Sequence, residues 1–177
     1  MSDRMAAEIW IGGKLPRSLL ESFPIDDLSL DWDNSRLASS AEADILAARD
    51  DGGLLHLADI EAAWGEFQEL EAWLREHNMP FRRQSEGKYE HSPEIVEFRP
   101  DLKRKKSRDV CITASHDGKP IVLAAAVQAI VDRMAKLKAD RRSETKRLQV
   151  WEKLLRKLVR ILPPQLPPLP KFEIVDG

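Results

Sequence analysis

A single cysteine, Cys111, among 177 residues leaves no partner for an internal disulfide, which points to a reducing compartment. No apolar run approaches the roughly 20 residues of a membrane-spanning helix, so no membrane association is expected. Met1 to Glu8 has neither a basic start nor a hydrophobic stretch before a small-residue cleavage site. No secretory signal is therefore read, and a cytoplasmic location of bacterial type is the expectation.

Catalytic and metal motifs are equally scarce. The four histidines, His56, His77, His91 and His116, and Cys111 never stand at i, i+3 or i, i+4, and there is no Cys-x-x-Cys. The usual zinc spacings are absent, and neither metal nor cofactor is expected. A Walker loop, a three-glycine dinucleotide fingerprint, a Gly-x-Ser-x-Gly elbow and a His-Glu-x-x-His helix are all missing. Asp26, Asp27, Asp31, Asp33, Asp50 and Asp51 are plentiful, yet no spacing selects an acid and base pair. An enzyme reading is left with Gly12, Gly13 and Lys14, between a strand and a helical segment, where backbone N–H groups can cradle a phosphate. A tight turn explains the same residues.

What is present is a charge split hidden by the net charge of -2. Residues 1–99 carry 10 Lys and Arg against 21 Asp and Glu, whereas residues 100–177 carry 18 against 9. Two complementary faces of one fold or of a dimer meet this split, as does a basic half that engages an external anion. At 42% hydrophobic and 33% charged, the composition is that of a folded protein.

Read in order, the pattern predicts a strand at Ala7–Ile11, a short helix at Pro16–Ser22, a strand at Leu28–Trp32 and a helix at Ala41–Arg49 capped by Ser40. A strand at Leu54–Ala58 follows, then a helix over Glu66–His77, where Phe67, Leu70 and Leu74 form one side. Phe81–Gln84 and Lys88–Glu90 read as a hairpin around Ser85, Glu86 and Gly87, with further strands at Glu94–Arg99 and Val110–Ala114. Five prolines between Pro163 and Pro170 exclude a helix and predict an extended tail, after which Phe172, Ile174 and Val175 can add an edge strand. The whole is an α+β fold: a mixed sheet of about four to six strands with helices mainly on one face. A ferredoxin-like arrangement is compatible, and a C-terminal helical arm and a Pro-rich tail follow the sheet.

That arm lies within Pro120–Leu162, one long helix or a pair. Leu123, Val127, Ile130, Met134 and Leu137 alternate spacings of four and three, and the count resumes at Leu148, Trp151, Leu155, Leu158 and Leu162. Charged residues from Lys138 to Arg147 part the two blocks. This places an acidic domain over 1–137, a basic arm over 138–162 and the tail over 163–177. The second block, Leu148 to Leu162, is the expected partner or oligomer interface.

Basic residues offer the alternative of nucleic-acid contact. On the hairpin Arg82 and Arg83 stand beside Phe81 and Tyr89, the connector supplies Lys103, Arg104, Lys105 and Lys106, and the arm supplies Arg141, Arg142, Lys146 and Arg147. If Phe81 and Arg83 share one strand face, Arg82 and Gln84 share the other. The leading expectation is a non-enzymatic interaction or assembly module whose basic arm docks on a protein partner or on a second copy. A nucleic-acid accessory or inhibitor protein, and a small-ligand enzyme at Gly12 and Gly13, are the alternatives.

Overall fold

A computed structural model describes residues 3–24, 41–88, 91–101, 109–138 and 144–176. The expected strand Leu28–Trp32 and the Lys103–Arg108 connector lie outside these. The chain forms two compact units, one of residues 1–119 with 167–177 and the other of residues 120–166.

The first unit is built on a five-stranded antiparallel sheet of β1 (Arg4–Ile11), β3 (Leu55–Ala63), β4 (Phe81–Ser85), β5 (Glu94–Phe98) and β6 (Asp109–Thr113), in the order β3-β1-β4-β5-β6. Its strands alternate as a half-buried sheet requires. Met5, Ala7, Ile9 and Ile11 of β1 are buried on one face, while Glu8 and Trp10 occupy the other. Ile9 lies opposite Leu57 of β3 and Arg83 of β4. α1 (Ala41–Ala47) contributes Ile45 to this core, and α2 (Gln68–Glu76), entered through Phe67, contributes Leu70 and Leu74. A 3-10 helix at Arg17–Ser22 adds Leu19 and Leu20. All three helical segments therefore cover the same face of the sheet. Every neighbouring pair in this five-stranded sheet is antiparallel.

β2 (Gly13–Pro16) and β7 (Phe172–Val175) form a separate parallel pair, Gly13 opposite Phe172. The prolines between 163 and 170 have no N–H to offer a ladder, and pairing begins only past them. Phe172 is fully buried, and Arg99 Nε donates to the Pro167 carbonyl at 3.4 Å. Thus the tail is an integral strand of the first unit rather than a free extension.

Two expected elements differ. The partner strand of β4 is β5, in the register Arg82 to Glu97 and Arg83 to Val96, whereas Lys88 meets His91 only as an isolated bridge. β3 runs five residues beyond Ala58, because a bulge at Met5/Ala7 shifts its pairing with β1 and breaks the alternation that marked the strand.

The second unit is a helical hairpin of α3 (Ala124–Lys138) and α4 (Glu144–Ile161). Ile130, Leu137 and Leu154 are buried between the helices, with Met134, Val150, Trp151, Leu158 and Ile161 packed around them. Residues 120–137, expected to belong to the acidic domain, pack instead with the arm, since α4 supplies the apolar face that Ile130 and Leu137 need.

Candidate functional site

α4 carries more apolar residues than one neighbouring helix can cover. They come as adjacent doublets, Val150/Trp151, Leu154/Leu155, Leu158/Val159 and Ile161/Leu162, the mark of a helix with two apolar faces. With 3.6 residues per turn, Val150, Leu154, Leu158 and Ile161 share the side that meets α3. Leu148, Leu155, Val159 and Leu162 fall within an arc of about 60° beside it. This second stripe is uncovered: Leu148 is 59% exposed, Leu155 44%, Val159 69% and Leu162 46%. Trp151 sits between the two faces, half-buried against the α3 cluster.

The interface residues expected from sequence thus divide. Leu148, Leu155 and Leu162 are on the open stripe, while Trp151 and Leu158 are engaged with α3. Val159 joins the stripe although the heptad count passed over it in favour of Leu158. The doublets were the signal that two counts run through the same helix.

Taken together with Trp151 at its border, the stripe is symmetric in spacing about Leu155. Trp151 and Val159 lie four residues to either side, and Leu148 and Leu162 lie seven. Lys146, Lys153, Lys157 and Arg160 are exposed and lie on the opposite side of the helix, within an arc of about 60°. At the flank of the stripe, Arg156 Nη2 stands 3.5 Å from Glu152 Oε2, so that charge has a local counterpart.

The other basic candidates are placed as follows. Arg83 is 2% exposed, its Nη1 donating to the Gly65 carbonyl at 2.6 Å, with Nη2 2.5 Å from Glu94 and Nε 2.7 Å from Glu71. No part of this guanidinium is left for a phosphate. Arg82 is on the opposite face of β4, beside Trp10, which stacks on His56 at 4.8 Å. That face also holds Glu97, 3.8 Å from Arg82 Nε, and Glu8, 3.0 Å from His56 Nε2. Burial holds the Glu97 carboxyl above its usual range against the pull of Arg99 and Arg82, and two carboxylates make the surface a poor seat for an anion. Arg147 is half-buried and Lys146 exposed on α4. Arg141, Arg142, Lys103, Arg104, Lys105 and Lys106 lie outside the described residues.

The Gly12–Gly13 loop joins β1 to β2 rather than to a helix. Gly12 N–H donates to the Pro80 carbonyl at 3.0 Å and Gly13 N–H to that of Lys171 at 3.1 Å. A Cβ on Gly12 would stand 2.2 Å from the Pro170 oxygen. The glycines admit the tail, and their amides are already used. Among the described residues no group of three metal-ligating side chains is found, and no helix is long and apolar enough to cross a membrane. No protein-family model matches the chain, and neither a curated protein nor a solved structure is significantly similar to it.

Proposed function

We propose that the protein is a non-enzymatic assembly module whose α3/α4 hairpin pairs with the hairpin of a second copy. The observation that carries this is the uncovered stripe Leu148, Leu155, Val159 and Leu162, in which Leu148 and Leu162 lie seven residues to either side of Leu155. A two-fold contact requires that residue i meet j wherever j meets i. Two α4 helices laid antiparallel across Leu155 satisfy this, bringing Leu148 against Leu162 and Trp151 against Val159 of the other copy. Charge permits the same arrangement. Lys146, Lys153, Lys157 and Arg160 point away from the stripe, so the basic character of residues 120–166, 11 Lys and Arg against 4 Asp and Glu, does not repel across it. The hairpin core of Ile130, Leu137 and Leu154 is small, and an added helix pair supplies the apolar contact that a two-helix unit lacks.

The mass in solution, measured by light scattering at two salt concentrations, tests this reading. A mass of twice the 20.2 kDa chain is expected, undiminished by salt because apolar contact is not screened. Leu155→Asp should return the mass to one chain with the circular dichroism unchanged, since Leu155 is not in the hairpin core. A wild-type chain that stays monomeric at high concentration overturns the reading.

A second reading follows from the cationic side of α4. Lys146, Lys153 and Arg160 recur every seven residues, a spacing that places them along one line for contact with nucleic-acid phosphates. Adding nucleic acid to the same measurement separates the two, because complexes of that kind dissociate steeply as salt rises.

A further inference from the structure

Trp64 is held in a backbone conformation that its side chain resists. Its φ is +59° and that of Gly65 is +68°, and the Glu66 N–H bonds the Ala63 carbonyl at 3.1 Å. This is a turn with two successive left-handed residues, where the first position ordinarily takes Asn, Asp or Gly. A bulky residue there is an outlier. The indole is 43% exposed and meets the His91 ring edge to face at 5.3 Å, so core packing does not account for it. Strain of this kind is characteristic of ligand sites.

Trp64 walls a cleft of about 240 Å³ whose other lining includes Met5, Glu66, Ser85, His91 and Glu94. Ser85 is 2% exposed as a residue. It lines the cleft, where its hydroxyl can meet a ligand. Glu94 is fixed there by Arg83 at 2.5 Å and by the Cys111 thiol, which donates to its Oε2 at 3.2 Å.

The charge around the cleft is negative. A chain of ion pairs runs from Asp109 through Arg75, Glu71 and Arg83 to Glu94, three carboxylates against two guanidiniums. Glu66 adds another, as does Asp3, 3.6 Å from His91 Nε2. The Lys88 ammonium is turned onto the Arg4 carbonyl at 3.0 Å.

We infer that this cleft binds a small organic cation, an ammonium or guanidinium head group stacked on the Trp64 indole and facing the Glu66 carboxylate. The head group donates to the Ser85 hydroxyl oxygen. An aromatic face beside a carboxylate is the pairing that recognises such cations, and the volume, below the about 300 Å³ of common ligand pockets, suits a head group rather than a nucleotide. The site is separate from the α4 stripe and does not depend on it.

Butylguanidinium is the probe, with butyramide as its neutral control. Both are titrated into the full chain while the indole Nε1–H resonances of its five tryptophans are followed by NMR, the Trp64 signal being assigned from the Trp64→Asn spectrum. The cation should shift the Trp64 resonance saturably, and Glu66→Gln should weaken that binding by about tenfold through loss of a close opposite charge. Trp64→Asn should abolish binding while raising Tm by about 3 °C, because Asn accepts the left-handed conformation. An equal response to butyramide, binding that survives Trp64→Asn, or no response to the cation overturns the assignment.

Discussion

Arg83 is the largest fully buried side chain of the described residues, and its place was partly legible. Alternation along β4 puts it on the face of Phe81, but nothing local distinguishes an inward arginine from an outward one. The partners that permit it come from elsewhere in the chain: Glu71 on α2, the Gly65 carbonyl and Glu94 on β5. Glu71, itself 6% exposed, would keep, among the described residues, Arg75 and the Phe67 N–H if Arg83 were lost. Arg83→Ala is therefore expected to cost about 3–5 kcal/mol in urea unfolding, the range for breaking a buried ion pair on one side. Cys111 stands next to the same network. It is exposed, yet desolvation and Glu94 push its thiol up to about 11. At pH 8 very little thiolate is present, so alkylation by iodoacetamide should be slow and should speed up as pH rises toward 11. Glu94→Gln removes the negative charge, lowers the thiol pKa and should raise the rate at pH 8 by about tenfold for each unit of pKa lost. A rate unaffected by Glu94→Gln would show that the carboxylate does not act on the thiol.

Elements with a clean period were readable, and those shaped by their neighbours were not. Phe67, Leu70 and Leu74 mark α2 because a single face of that helix is covered. The pattern shows only the first half of β3, because its outer half, with Ile60 56% exposed, lies past a bulge and at the edge of the sheet, where burial no longer alternates. Composition places Lys88 in a hairpin with β4, but the Glu94–Phe98 segment supplies the Phe98, Val96 and Glu94 that face Phe81, Arg83 and Ser85. In α4 the heptad count selected Leu158 and omitted Val159, since one period was imposed on a helix that carries two apolar faces. Which of each doublet faces α3 depends on how the hairpin packs, and that is a property of two helices together.

Across the whole molecule, apolar burial is very unequal. The first unit has a continuous core that joins Ile9, Leu57, Phe81, Val96 and Phe172, whereas among the described residues the hairpin buries Ile130, Leu137 and Leu154. Local stability follows buried contact. Amides of α3 and α4 should therefore exchange with deuterium faster than those of β1 and β4 at low protein concentration. If the hairpins pair, protection of α4 should rise with concentration while that of β1 does not, because association stabilises only the part it covers. Concentration-independent exchange in α4 would count against pairing. The charge split observed in the sequence matches this division, the basic excess falling in residues 120–166 and the acidic excess in the rest.

By itself the sequence determined the α+β class, the helices on one face of the sheet and the basic helical arm, because period, proline placement and charge are local properties. Tertiary structure decided that residues 120–137 belong with the arm, that the tail returns as β7, and that Arg83 is enclosed while Leu148, Leu155, Val159 and Leu162 are open. It also brought Trp64 beside His91, Ser85 and Glu94 in the first unit. Each of these depends on which distant residue meets a given side chain, and pairing across the chain has no local signature.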